Sequence, residues 1–141
     1  GKFRYNCSII DLYDRSAVAS LNSDCINTDL AINTLKTALK KEKHPKVILH
    51  SDQGVQFTSC EFVNFCKDNN ITQSMSKAGC PYDNAPVERF YNTFKSNFYN
   101  VTSFSNVEVM DELTTKYINW YNYVRPHSHN NYLTPMEARY K

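Results

Sequence analysis

Two acidic side chains stand where an α/β protein gathers its chemistry. Asp52 lies in the word His50-Ser51-Asp52-Gln53-Gly54, directly after the apolar run Val47-Ile48-Leu49. Such a run reads as a short buried-type strand, and reactive groups of open α/β sheets collect where loops leave the carboxyl ends of strands. Gly54 then lets the backbone turn away sharply. Glu88 falls on a predicted helix whose residues Val87, Phe90, Tyr91, Phe94 and Phe98 share one apolar face. Asn84, Glu88, Asn92 and Lys95 are spaced 4, 4 and 3 residues apart and form a polar ridge beside that face. Glu88 is thereby placed at the edge of a core, from which its carboxylate can lean toward a sheet end. Lys95, two turns along, suits a polyanionic substrate. Each residue taken singly also has an ordinary structural reading. An Asp after a strand serves turns and caps, a Glu in a first helical turn serves the helix dipole, and Asn92 and Lys95 are solvated surface.

The elements that must hold these groups follow from periodicity. Residues 3–12 begin by alternating apolar and polar side chains, Val18, Ala19 and Leu21 carry a second extended run, and Asp11 to Arg15 form a polar turn between them, hence a β-hairpin. Asn27 reads as the N-cap of a helix with Leu30, Ile32, Leu35, Ala38 and Leu39 at helical spacing, closed by Lys40-Lys41-Glu42-Lys43 and Pro45. The strand 47–50 comes next. A helix from Thr58 or Ser59 to about Asn70 then turns Phe62, Phe65 and Cys66 inward, and Ile71 to Met75 is a further strand. Residues 77–83 form a polar loop with Gly and Pro, followed by a helix near Asn84 with Pro86 in its first turn. Ser105-Asn106-Val107-Glu108 has the form of a capping box, opening a last helix with Val109, Leu113, Tyr117, Trp120 and Tyr121 on one face. The order β-β-α-β-α-β-α-α describes an α/β domain with a mixed sheet. Residues 1–103 read as its core and 104–141 as a C-terminal helix and tail of the same domain.

Composition narrows the function classes. A length of 141 residues suits one domain and needs no staple. Apolar runs of no more than three residues exclude a transmembrane helix, and no signal peptide is visible. A net charge of +2 is too small to argue for a polyanionic partner by itself. Lys36, Lys40, Lys41 and Lys43 read as a solvated helix end. The five cysteines, Cys7, Cys25, Cys60, Cys66 and Cys80, contain no C-x-x-C pair, which favours reduced thiols of a cytosolic protein over disulfides or a zinc site.

In combination the words are specific. Thirty-five residues separate Asp52 from Glu88. Around them stand His50-Ser51-Asp52-Gln53-Gly54-Val55-Gln56-Phe57-Thr58-Ser59, Ser74-Met75-Ser76-Lys77-Ala78-Gly79, Asp83-Asn84-Ala85-Pro86-Val87-Glu88-Arg89-Phe90 and Phe94-Lys95. Tyr121-Asn122, Arg125-Pro126-His127 and Leu133-Thr134-Pro135-Met136-Glu137 follow, and Ile9-Ile10-Asp11-Leu12-Tyr13-Asp14-Arg15 precedes them all. The chain resembles, over essentially its whole length, the integrase catalytic core of bacterial insertion-sequence transposases, relatives of retroviral integrases in the D,D-35-E group. The resemblance implies an RNase H-like fold, a mixed sheet flanked by helices with a C-terminal helical appendage, and DNA transposition by metal-dependent strand transfer. It implies two Mg²⁺ (or Mn²⁺) ions in the complete site, with Asp52 and Glu88 as catalytic metal ligands. Hard cations that keep waters and bind phosphate oxygens want carboxylates, which fits these residue types. It also implies DNA contacts from Lys95, Asn92, Arg89, Lys77 and Arg125, a homo-oligomer acting on element ends and target DNA, and a cytoplasmic, nucleoid-associated location.

The pattern departs from the family in two places. The family's first catalytic Asp lies on the strand before the one where this chain begins, so the sheet is expected to lack its first strand and the fragment to be inactive alone. The unpaired edge so left is expected to be filled by a shifted strand or by a second chain. Asp11 matches the strand-end word rather than the catalytic one, and Asp14, Asp24 and Asp29 are poorer substitutes. After His127-Ser128-His129, Asn130-Asn131 stand where the family places Leu-Gly. His127 and His129 make a weak metal pair, and Arg125 and His127 either hold the tail on the domain or approach DNA phosphates. His50 orients the Asp52 loop rather than acting as a base. The rival readings are a non-catalytic DNA-binding or assembly remnant of a decayed transposase and, behind it, a purely hydrolytic RNase H-like nuclease.

Overall fold

Alternation at the N-terminus produces strand β1 (Tyr5–Ile10), paired with β2 (Ala17–Ser23). The computed structural model describes residues 5–43, 46–77, 85–96 and 106–141. Asn6 Nδ2 donates to Asn22 Oδ1 and Ser8 Oγ to Ser20 Oγ, both at 2.9 Å. Partner numbers fall on one strand as they rise on the other, so the hairpin is antiparallel. Asp11 N–H donates to Ser16 O at 2.9 Å, and Arg15 turns the corner in the left-handed region at φ 64. The chain divides into two compact units, Gly1–Cys7 with Leu21–Ala85, and Ser8–Ser20 with Pro86–Lys141.

In the first unit, α1 (Thr28–Lys41) opens at Asn27, whose Oδ1 accepts from Leu30 N–H at 3.0 Å. Leu30, Ala31, Ile32, Leu35 and Ala38 are its buried stripe, packed on α2 (Val55–Thr58) and α3 (Cys60–Asp68). Ser59 caps α3, and Phe62 and Cys66 are 1% exposed. The helix expected to open at Thr58 or Ser59 is α3; α2 precedes it as a separate turn, because Ser59 leaves helical geometry at ψ 149 to serve as the α3 cap. Strand β3 (Val47–Ser51) pairs in parallel with β4 (Ile71–Met75), Val47 opposite Ile71 and Ser51 opposite Met75. Val47 and Leu49 are half-buried, but Ile48 is 76% exposed, so this strand is covered on one face only and not on both as its apolar run suggests. Burial raises the Cys7 and Cys66 thiols above their ordinary range, which fits inert reduced cysteines.

In the second unit, α4 (Ala85–Phe94) and α5 (Val107–Tyr123) meet through aromatic side chains. Phe90, Phe94, Tyr117, Tyr121 and Ala17 form the core, with Ile10, Tyr91, Leu113 and Ile118 packed around it. Phe90 meets Tyr121 edge-on at 5.1 Å and Phe94 meets Tyr117 at 5.3 Å, contacts worth about 0.5–1.5 kcal/mol each beyond area burial. Burial pushes the Tyr117 phenol up to about 12. The α5 cap is Asn106, whose side chain accepts from Val109 N–H, so Glu108 falls one position early for the reciprocal bond of a capping box. Its buried row is Met110, Thr114, Tyr117 and Tyr121, while Trp120 is 39% exposed. Asn122 accepts from Ala17 N–H at 2.8 Å and donates to Ala17 O at 2.9 Å, a side-chain amide standing in for a strand neighbour of β2.

The tail is more ordered than its polar sequence suggests. A single 3-10 turn, Ser128–Asn130, is followed by a short helix α6 (Pro135–Arg139) capped by Thr134. Asn131 (φ 54) and Tyr132 (φ 66) lie in the left-handed region. Asn stands where the family places Gly, and it is the side chain best tolerated there after glycine. Pro45, Cys80, the loop residues 78–83, Asn84, Phe98 and Ser105 lie outside the described residues.

Candidate active site

The Asp52 turn is built on the exit of β3. Ser51 is the last strand residue, and Asp52 Oδ1 accepts from Gly54 N–H at 2.8 Å, closing the turn on itself. Ser51 Oγ donates to Asp52 O at 2.9 Å. Asp52 is exposed, and its second carboxylate oxygen, Oδ2, has no hydrogen bond among the described residues. Gly54 has φ −57 and ψ 148, which any residue adopts, so the turn does not need glycine for its torsions. It needs glycine for space: a Cβ there would lie 2.9 Å from Asp52 Oδ1.

Strand β4 braces this turn from the side. His50 Nδ1 lies 2.9 Å from Ser74 Oγ and His50 Nε2 lies 2.9 Å from Ser76 Oγ. A neutral imidazole donates through one nitrogen and accepts through the other, so both serines are satisfied at once. Ser76 N–H donates to Ser51 O at 2.9 Å, and Gln53 Nε2 donates to Ser76 O at 3.0 Å. Gln73 Nε2 reaches Phe57 O at 2.9 Å. These bonds tie His50, Ser51 and Gln53, the residues around Asp52, to Ser74 and Ser76. The parts played by Ser74, Ser76 and Gln53 had no signal in spacing, because they depend on the β3–β4 register.

Glu88 lies in the first turn of α4 and is exposed, as are Arg89, Asn92 and Lys95. Phe90 and Phe94 take the opposite side into the core, with Val87 and Tyr91 half-buried, so the ridge stands on the solvent side as its spacing predicts. Tyr91 OH accepts from Ser8 N–H at 3.0 Å, fixing the helix against β1. Asp52 and Lys77 belong to the first unit, and Glu88, Arg89, Asn92, Lys95 and Arg125 to the second. No group of three His, Cys, Asp or Glu side chains that could hold a metal ion occurs among the described residues. Asp52 and Glu88 are each exposed carboxylates, hard-oxygen donors suited in kind to Mg²⁺.

Asp11 and Asp14 are engaged elsewhere. Arg139 Nε donates to Asp14 Oδ2 at 2.6 Å, and its terminal nitrogen Nη2 donates to Asp11 Oδ2 at 3.2 Å and to Ser16 Oγ at 2.9 Å. Asp14 is 1% exposed and also accepts from Ser16 N–H. Asn130 Nδ2 donates to Asp14 O at 2.7 Å. The tail is therefore clamped on the hairpin turn of its own unit. His127 is buried, with Nε2 3.3 Å from Tyr121 O and its N–H bonded to Leu133 O, and burial lowers its pKa below the ordinary histidine value. The Arg125 guanidinium lies 5.6 Å from the Tyr121 ring centroid and 3.3 Å from His127 Nδ1. His127 thus holds the tail, as one of its two readings had it.

An integrase core domain model matches residues 1–81, and a second integrase core domain model matches residues 69–135. The chain belongs to the integrase core domain family. Among its relatives are InsK of insertion sequence element IS150 and the transposase InsF of insertion sequence IS3A, both from Escherichia coli K12. They are 36% identical over 140 residues and 34% identical over 139. The alignments cover 99% and 97% of this chain but 50% and 48% of those proteins, so the core spans about half the length of these curated relatives. In fold it is similar to a chain of the simian T-cell lymphotropic virus intasome, with TM-score 0.76 and 17% identity, covering 96% of this core and 48% of that chain. It is also similar to the HTLV-2 integrase catalytic core domain, solved in complex with magnesium in a dimeric form. That match has TM-score 0.63 and 18% identity and covers 94% and 81%. The α/β architecture expected of an RNase H-like integrase core is thereby established. Among the described residues, no helix of this integrase core is long and apolar enough to cross a membrane.

Proposed function

We propose that this integrase core performs metal-dependent phosphodiester strand transfer during DNA transposition, with Asp52 and Glu88 as metal ligands. The observation that carries the reading is the Asp52 turn. A carboxylate at a strand exit has one oxygen tied to Gly54 N–H and the other left open among the described residues, on a loop bonded to Ser74 of β4 and to Ser76 just after it. When bound, divalent ions supply activation of the attacking oxygen and stabilisation of the leaving 3′-oxygen. Asp52 contributes Oδ2, and Glu88 contributes its carboxylate from the exposed ridge of α4. Asn92 and Lys95 follow Glu88 along that ridge and contact DNA phosphates, with Lys77, Arg89 and Arg125 as further DNA contacts. The magnesium in the HTLV-2 core supports the choice of ion. The working protein is a homo-oligomer on element ends and target DNA, in the cytoplasm at the nucleoid.

The third carboxylate of the site lies, in this proposal, outside these 141 residues, so that the chain alone binds metal weakly and joins no DNA. Support comes from Asp11 and Asp14, substitutes weighed within the chain, whose carboxylates are held by Arg139. The test is a strand-joining assay on the chain with and without its upstream coding segment, in Mg²⁺, alongside Asp52→Asn and Glu88→Gln. Activity is expected only with the segment, and either substitution is expected to abolish it. Equal joining with and without the segment, or full activity of either variant, refutes the assignment.

A further inference from the structure

We infer that Ser76, the residue directly after β4, is a positioning residue for Asp52, the node that sets the direction of the carboxylate. The inference rests on the reading of Asp52 as a metal ligand. Ser76 is 7% exposed and bonds to His50, Ser51 and Gln53, three residues around the carboxylate. Its N–H holds Ser51 O, its carbonyl accepts from the Gln53 side chain, and its hydroxyl meets His50 Nε2. The residues immediately before and after Asp52 are thus pinned to one buried backbone unit, and the residue two before it is pinned to the same side chain. Among the described residues, Asp52 itself bonds only within its own turn, to Gly54 N–H and Ser51 Oγ. Two bonds inside an exposed four-residue turn do not fix the direction of that turn; bonds from both flanks to one buried residue at the end of β4 do. Ligands held in this way by outer partners bind metal more tightly because the geometry is set before the ion arrives, and loss of one such partner typically costs about 10-fold or more in affinity.

The hydroxyl is the part that can be removed alone. Ser76→Ala keeps both backbone bonds and deletes the contact to His50, while Ser76→Thr keeps the hydroxyl. The probe is Mn²⁺ alone, titrated into the full 141-residue chain and read by paramagnetic broadening of the Gly54 amide. A second readout is the hydrogen exchange of that amide, which Asp52 Oδ1 protects. Ser76→Ala is expected to weaken Mn²⁺ binding about 10-fold and to speed Gly54 exchange, with the urea midpoint nearly unchanged. Ser76→Thr is expected to restore both. Gln53→Ala, on an exposed side chain, is expected to act in the same direction and serves if Ser76→Ala fails to fold. Wild-type Mn²⁺ affinity in Ser76→Ala, with binding abolished by Asp52→Asn, overturns the positioning role while leaving the ligand intact. Broadening that survives Asp52→Asn overturns the ligand reading instead; Gly54 exchange then decides the positioning role, and an unchanged rate in Ser76→Ala overturns it.

Discussion

Replacing Arg139 with Met isolates the clamp between the tail and the hairpin turn. The guanidinium bonds to Asp14 Oδ2 at 2.6 Å, Ser16 Oγ at 2.9 Å and Asp11 Oδ2 at 3.2 Å. The Asp14 side chain is 1% exposed and that of Arg139 is 18% exposed. Met fills the volume of the stem but leaves a buried carboxylate that still accepts from the Ser16 backbone N–H at 2.8 Å. Breaking a buried pair by deleting one partner costs about 3–5 kcal/mol, because the surviving charge has been desolvated without compensation. The partial exposure of Arg139 and the more exposed Asp11 place the expected loss near the lower end, about 3 kcal/mol. That is a large part of the roughly 5–15 kcal/mol that holds a domain together. With a urea slope of about 1–3 kcal/mol/M, the midpoint falls by roughly 1–3 M. Urea unfolding at pH 7, followed by tyrosine fluorescence and circular dichroism, measures it. Asp14→Asn combined with Arg139→Met removes the stranded charge while keeping an oxygen for Ser16 N–H. This double variant is expected to be more stable than Arg139→Met alone. A loss below about 1 kcal/mol in Arg139→Met, the size of an exposed pair, or a double variant less stable than the single one, would refute the reasoning.

The remaining expectations concern the turn, the tail and pH. Gly54→Ala places a methyl 2.9 Å from Asp52 Oδ1; it is expected to cost under about 1 kcal/mol in urea, as a surface change, yet to weaken Mn²⁺ binding measurably, and unchanged binding contradicts it. Asn131→Gly is expected to be neutral or slightly stabilising and Asn131→Val to cost about 1–2 kcal/mol, since a Cβ-branched residue resists φ 54; equal midpoints refute the left-handed assignment. His127 has a lowered pKa through burial, so between its folded value and about 6.5 the unfolded chain binds a proton that the folded chain does not. Its contribution is complete above that unfolded value and is lost as pH falls toward the folded one, at no more than about 1.4 kcal/mol per pH unit. His127→Gln is expected to flatten the dependence of stability on pH below 6.5, and an unaltered slope excludes His127 as its source.

Much of the fold was legible because local signals and packing agree. Asn27 and Ser59 announce helix starts that the structure keeps, and the apolar stripe of α4 sinks Phe90 and Phe94 as its spacing predicts. Legibility fails where two segments choose each other. Asn106 caps α5, and packing rather than the cap decides that Met110 and Thr114 go inward while Trp120 stays partly out. Asp11 and Asp14 look like turn residues or spare carboxylates until Arg139, far along the chain, reaches them. Gly54 reads as a torsional need and proves to be a spatial one.

The sequence alone determined the class of this protein and its candidate ligands. Asp52, Glu88 and the words around them are contiguous or regularly spaced, and short-range order of that kind survives without knowledge of the fold. Tertiary structure alone decided which groups hold Asp52 in place and which carboxylates are already taken. His50 finds Ser74 and Ser76 because β3 and β4 pair in one register out of several, and Asp14 finds Arg139 because the tail folds back on the hairpin turn. Such partners are set by the burial of whole elements, and a buried polar group takes whichever partner that burial brings within reach.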